Sequence, residues 1–479
     1  MIYVLQGLLV AIVLFLAVVI LRTLTFKPKK LEEVDKTEEI FDKDKAVSNL
    51  QTLVKFKTVS YRDSSLEDDS EFEGLIAKLP ELYPHVFEKC EFMRFENRGL
   101  LFKWKGKGEG DASVMMAHYD VVPVDESKWD KAPFDGIIED GVLWGRGTLD
   151  TKATFNGVLT SADHLIAQGF VPEKDVYFAF SGGEEINGMG AVNIVNYFYD
   201  NNIKIGLVVD EGGAVVENVF PGVKSPCGLI GIAEKGMMDV QYRVTTNGGH
   251  ASAPAPHTPV GVLSAACCNM ENKPFKAHLT APVAEMFDTL GRHSSFVYKM
   301  IFSNLWCFGG LLDKICKASG GEVNALMRTT VAFTQMNGSN ASNVVPTDAT
   351  MVSNIRLNPM DTMDSAKAYI EKTVNNDKVE VTVLRGMNPS RISCTDCDEY
   401  KKVERAVAST WQGALVSPYL MVQCSDSRHY GKISDRVYRF SAMALTSEER
   451  KTIHGNNERI KVENISKAVE FYIRLLKQC

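Results

Sequence analysis

A chain of 479 residues, 45% hydrophobic and 24% charged, has ordinary globular composition and enough length for two or three domains. A formal net charge of -7 and a pI of about 5.8, with no recurring Lys/Arg block, argue against a nucleic-acid partner. Ten cysteines are too sparse for a disulfide scaffold.

Residues 1–21 carry no charged side chain, and Gln6 is the only strongly polar one. About 20 apolar residues span a bilayer as a helix. No positive segment precedes the stretch and no small-residue cleavage site follows it, so 1–22 reads as an uncleaved single-pass anchor, with a cleaved signal peptide as the alternative. Arg22, Lys27, Lys29 and Lys30 follow it and would keep the body cytoplasmic. Asn337-Gly-Ser, Asn340-Ala-Ser and Asn464-Ile-Ser have the form of glycosylation acceptors and argue for a lumenal or extracellular body. Residues 23–45 are charged and without apolar periodicity, and read as a linker.

A helical pattern begins at about residue 46, and a second covers about 70–82. Strands are predicted at about 99–104 and 113–117, then at VYFAFS (176–181) and IGLVVD (205–210). Helices are predicted from GRGTLDTKAT to about Gln168 and near 188–200. Such alternation predicts an α/β fold, a mostly parallel sheet with helices on both faces. From about 235 to 388 the order becomes β-α-β-β-α-β, which predicts an inserted ferredoxin-like α+β lid domain. Within it, 275–327 reads as an irregular, partly helical, apolar insertion that could line an acyl pocket, bind membrane or be packed core, the last being the plainest reading. Residues 46–234 and 389–479 would form the two parts of the catalytic domain. Cys394 and Cys397 have C-x-x-C spacing but no second pair at zinc spacing, and read as structural or exposed thiols.

Polar residues cluster where strands end. VMMAHYD closes a short apolar run with His118 and Asp120, two apart and so on one side of the chain. Asp150 sits in a glycine-punctuated loop before a helix. Glu184 and Glu185 follow VYFAFS, Asp210 ends IGLVVD, and His454 lies in TIHGNNE. Each has a plainer reading on its own: a helix cap, a first-turn charge, a turn residue or a surface histidine. Together they place a histidine or carboxylate at the ends of three neighbouring strands, a clustering that needs cations to neutralise it. Imidazole with carboxylate suits Zn²⁺.

MMAHYDVVP, GRGTLDTKAT, SGGEE, VVDEGG, NGGHASAP, SNVVP, SDSRHY and IHG occur in this order, over about residues 46–475. This series resembles the di-zinc aminoacylase/carboxypeptidase S family, nearest to its carboxypeptidase S and N-fatty-acyl-amino-acid hydrolase branch. The resemblance implies a zinc-dependent hydrolase that cleaves an amide bond beside a free carboxylate, in short peptides or N-acyl amino acids. It implies that His118, Asp150 and Asp210 bind one zinc and that Asp150, Glu185 and His454 bind the other, with Asp150 bridging. Asp120 would orient His118, Glu184 would be the general base, and His250 would stabilise the oxyanion, in several members from a partner subunit. Asn343 and Arg356, and more weakly Arg428, would hold the substrate. A homodimer through the lid is then expected. The sequence departs from the family at Ser181-Gly182-Gly183 and at Cys424, neither of them a ligand position. A catalytically silent binding protein with the same fold is the alternative; a different two-metal hydrolase such as a phosphatase fits the motifs less well.

Overall fold

The computed structural model describes residues 1–29, 34–219 and 222–479. Lys30, one of the basic residues after the apolar stretch, and 31–33 of the linker lie outside them.

The main sheet runs Glu91–Phe95, Gly99–Trp104, Val176–Ser181, Ala112–His118, Ile205–Val216, Val437–Leu445, Cys227–Glu234, Leu415–Met421. Its centre is parallel, from Val176–Ser181 through Ala112–His118 and Ile205–Val216 to Val437–Leu445. One edge is antiparallel, and Cys227–Glu234 reverses direction near the other. All seven residues of Ala112–His118 are buried, as a central parallel strand requires. Val114 and Met116 face a core shared with Leu101, Tyr177 and Phe198, whereas Met115 and Ala117 face the opposite one. The first core is covered by helix Gly190–Asp200, the second by Lys152–Ala167 and Val462–Leu476. Because the central strands are parallel, His118, Ser181 and Asp210 come to one edge of the sheet.

Residues 236–387 contain a second, antiparallel sheet in the order Thr330–Asn337, Asp348–Leu357, Gly236–Thr245, Glu380–Met387. Its core includes Val240, Tyr242, Leu263, Ile355 and Ile370, drawn partly from helices Pro259–Asn272 and Met363–Val374. This is the ferredoxin-like arrangement.

Several expectations need correction. The N-terminal helix runs Ile2–Thr25, beyond residue 22, because Thr23 is buried against Asn304 of the 275–327 segment. That segment is not irregular. It folds as helices Ala281–His293, Phe296–Ser303, Leu305–Ser319 and Gly321–Met327. Nor is it all packed core. Val283, Met286, Phe287 and Leu290 join the core beside the edge strand Leu415–Met421, but Phe296, Val297, Trp306 and Leu311 are exposed. Cys394 and Cys397 are joined as a disulfide. Asn464 is buried, and its amide bonds the backbone of Ala444, so it is not a glycan acceptor; Asn337 and Asn340 are exposed.

Candidate metal centre

The centre starts from the geometry of His118. Its Nδ1 lies 2.9 Å from the Asp120 carbonyl. A carbonyl only accepts, so Nδ1 is the donor there, and Nε2 is the nitrogen turned to the acidic cluster. Nε2 faces Asp150 Oδ1 at 2.9 Å and Glu211 Oε1 at 3.4 Å. The other oxygen of Asp150, Oδ2, lies 3.0 Å from His454 Nε2, which is also 3.0 Å from Glu185 Oε2. Asp150 thus stands between the two histidines and offers one oxygen to each.

Asp120 Oδ1 lies 3.4 Å from His118 Nδ1. Its carbonyl sets the His118 tautomer, while its carboxylate accepts from the Glu184 and Glu185 amides at 3.1 and 3.2 Å. It therefore fixes the turn that carries the acidic pair.

The third-strand carboxylate turned to His118 Nε2 is Glu211. Asp210 Oδ2 accepts from the Ser427 amide at 3.0 Å. Glu211 and Gly212 form a bulge: Asp210 pairs with Arg439 and Gly213 with Phe440, so the two residues between have no opposite number. A bulge re-aims its side chain, and here it turns Glu211 towards His118. Gly213 is obligatory beside it, because a Cβ there would lie 1.8 Å from the Leu229 carbonyl oxygen.

Glu458 was not singled out by its sequence. It is fully buried and accepts from the amides of Gly147, Leu149 and Asp150 at 3.1, 2.7 and 3.2 Å. Its Oε2 pairs with Arg146 at 2.5 Å, and Arg146 also donates to the Gly455 carbonyl. One carboxylate thereby ties the Asp150 loop to the His454 loop. Gly147 permits this loop: its φ is +85°, and a Cβ would meet Val121 at 2.8 Å. Removing one partner of a buried pair leaves an uncompensated charge and costs about 3–5 kcal/mol. Glu458→Ala is expected to lose stability of that order in denaturant unfolding, with Glu458→Gln closer to wild type.

Like charges crowd this site. Burial pushes Glu184 well above the usual carboxylate range, Glu185 up to about 6 and Glu211 up to about 8. Burial also acts on Asp150, but the hydrogen bonds from His118 and His454 outweigh it and hold this carboxyl low. Hydrogen bonds to Asp150 and Glu185 raise His454 to about 10. Oxygen and nitrogen donors of His118, Asp150 and Glu185, and again of His118, Glu184 and Glu211, lie within 4.8 Å of one another. Glu185 Oε1 is buried with no hydrogen-bond partner. Buried carboxylates, two imidazole nitrogens aimed among them and an orphaned oxygen fit divalent cations.

A cleft of about 740 Å³ opens beside the cluster and is lined by Asp150, Glu184, Glu185, Glu211 and His454. Its lining also includes the apolar Val216, Leu229, Met421, Met443, Leu445 and Ile453, with Gln423, Ser441, Arg450 and Lys451 among the polar residues. Cys424 also lines it, with Arg356 Nη1 3.5 Å from the sulfur. The other expected site residues lie elsewhere. His250 and Val344 pair in a short two-stranded ladder, the Asn343 carbonyl accepts from the Ala251 amide, and His250 is exposed with Nδ1 on Ser252. Neither His250 nor Asn343 lines the cleft. Arg428 is turned to Asn187 Oδ1 at 2.8 Å, just after the Glu184–Ile186 turn.

Comparison with known proteins agrees with this architecture. Residues 114–478 match the family model described as peptidase family M20/M25/M40. The chain is 32% identical to a probable carboxypeptidase S-like 2 of Dictyostelium discoideum, over 99% of this chain and 93% of that one. It is equally 32% identical to an N-fatty-acyl-amino acid synthase/hydrolase of Xenopus tropicalis, over 99% and 94%. Its fold is similar to that of an M20 family metallo-carboxypeptidase from Sulfolobus solfataricus, with a TM-score of 0.67, 19% identity and coverage of 90% and 98%. The chain belongs to peptidase family M20/M25/M40 and is a metallohydrolase.

Proposed function

We propose that this protein hydrolyses the amide bond of N-acyl amino acids that carry a long apolar acyl group. The observation that carries the reading is the cleft beside the acidic cluster, whose lining includes the apolar Val216, Leu229, Met421, Met443, Leu445 and Ile453. A dipeptidase has no need of so large an apolar lining, and one of the relatives is named for fatty-acyl amino acids. The carboxypeptidase reading, suggested by another relative, requires that the same lining take apolar peptide side chains.

In this reading His118, Asp150 and Glu211 hold one zinc ion, and Asp150, Glu185 and His454 hold a second. Zinc held there would supply an acidified water and polarisation of the scissile carbonyl. Glu184 takes the proton from the attacking water and delivers it to the leaving amine. Asp120 holds the Glu184 amide, and so sets where that carboxyl points. Arg356, on the rim by Cys424, binds the substrate carboxylate as a two-pronged donor. His250 is exposed and remote from the cleft lining, which suits a role in the site of a second copy joined through the lid. Residues 2–25 anchor the protein in a membrane.

The test is a panel of long-chain acyl amino acids, acetyl amino acids and dipeptides scored by kcat/KM with zinc supplied. A preference for dipeptides overturns the acyl reading, and no turnover of any of them favours the binding-protein alternative. Filling the cleft gives a sharper check. A methylene in an apolar pocket is worth about 1–3 kcal/mol, so Val216→Trp is expected to lower kcat/KM for long acyl chains by about ten-fold or more. Acetylated substrates, which do not reach the wall, are expected to be nearly unaffected.

A further inference from the structure

The helix Ile2–Thr25 is long and apolar enough to cross a bilayer, and Val19 and Thr23 are its only buried residues among those described. Its C-terminal end is built into the folded body. Asn304 is fully buried and its amide donates to the Val19 carbonyl at 3.2 Å. Arg22 Nε donates to the Ser303 carbonyl at 3.1 Å, and the Thr23 and Ser303 hydroxyls lie 3.3 Å apart. Below this, Arg292 stacks over Phe26 at 4.3 Å and donates to the Lys27 carbonyl. The helix is therefore not a loosely tethered leader, and helices Phe296–Ser303 and Leu305–Ser319 meet it side-on.

That contact reaches past the first charged residue of the span. Phe15 and Trp306 meet edge to face, with ring centroids 5.7 Å apart. Phe15 lies seven residues before Arg22, which is about 10 Å at roughly 1.5 Å per residue. With Arg22 at the edge of the hydrocarbon, Trp306 lies below that edge. Its surroundings suit such a position. Between Phe296 and Leu312 the only charged residue is Lys299. Phe296, Val297, Trp306 and Leu311 are 55%, 59%, 58% and 47% exposed. The Trp306 indole N–H donates to Asn304 Oδ1 within the protein at 3.3 Å, so it needs no water. Amphipathic elements of this kind bury their apolar face about 5–10 Å into a membrane interface.

We infer that helices Phe296–Ser303 and Leu305–Ser319 form a second membrane-contacting element, seated in the acyl region of the bilayer alongside the N-terminal helix. The occupant of this apolar face is lipid, because the face continues the lipid-facing surface of that helix. The following helix, Gly321–Met327, carries Glu322 into the wall of the cleft, where Tyr419 donates to it at 2.8 Å. The catalytic body is thus held against the membrane by two points rather than swinging on one. This rests on the anchor reading of residues 2–25, and the two are tested separately.

The full chain is reconstituted in phosphatidylcholine vesicles whose acyl chains are brominated, and tryptophan emission is compared with that in unbrominated vesicles. Of the five tryptophans, Trp104 and Trp129 are buried, and Trp306 is the one that is largely exposed. The expected result is clear quenching in wild type that falls at least two-fold in Trp306→Phe. Equal quenching in the two proteins, or none in either, overturns the second contact. So does a Trp306 shielded from both bromolipid and aqueous iodide, which would place a second copy of the chain on this face. An alkaline wash reads the anchor independently. Chain retained without Trp306-dependent quenching sinks only the inferred contact; chain washed off yet quenched at neutral pH supports the contact and sinks the anchor.

Discussion

Replacing Glu184 with glutamine is expected to leave bound metal unchanged and to lower kcat by about 10²–10⁴-fold, the usual worth of a positioned general base. Glu184 lies in the cleft lining, and its amide is held by Asp120. Burial, reinforced by the nearby carboxylates Asp426, Glu211 and Glu185, pushes its carboxyl well above the usual range, and the His118 charge opposes this. A carboxyl raised in this way accepts a proton readily near neutral pH, which a shuttle between water and a leaving amine requires. Glutamine keeps the shape and the backbone hydrogen bond but cannot take the proton. Metal content by elemental analysis, read beside kcat, separates this role from metal binding. A variant that loses metal as well as activity would make Glu184 a ligand. An unchanged rate would remove it from the mechanism.

Much of this was legible in the residues, and the exceptions have physical causes. Apolar runs of limited length bounded by Gly or polar residues placed Gly99–Trp104 and Val176–Ser181 with their observed ends. His118, Asp150, Glu185 and His454 were each visible as a polar residue at a strand end or loop tip, and the fold does bring them together. Periodicity says nothing of a bulge. IGLVVD read as a strand ending at Asp210, whereas the strand continues to Val216 with Glu211 turned out of register. The signal was the Gly-Gly after Glu211, since glycine inside a strand often marks a bulge or a close backbone approach. Glu458 was invisible for another reason. Its partners are the backbone amides of a loop some three hundred positions away, and no local pattern encodes them. The helices of 281–327 are legible only as a partly helical insertion, because their apolar residues serve two surfaces, a core beside Leu415–Met421 and an exposed face, and so show no single stripe.

The bulge leads to the second large effect. If Glu211 is the ligand that completes the His118 side of the centre, Glu211→Ala is expected to weaken one of two metals by more than about 100-fold, since even outer partners of a ligand are worth about 10–100-fold. Activity is expected to fall with it. Asp210→Asn makes the matched control. Asp210 is buried and accepts from the Ser427 amide, and an asparagine oxygen can accept the same bond. Its metal affinity is expected to stay within about ten-fold of wild type, because no first contact with the cation is removed. Competition against a chelator, with the stoichiometry counted for each variant, decides the matter. Were Asp210→Asn to bind one metal and Glu211→Ala two, the assignment would revert to Asp210, and the bulge would need another purpose. The physical expectation favours Glu211. It already lies 3.4 Å from Nε2 of His118, and burial raises it to about 8. A carboxyl in that state holds a proton at neutral pH unless a cation takes its place, so metal uptake at Glu211 is expected to release protons and to tighten as the pH rises.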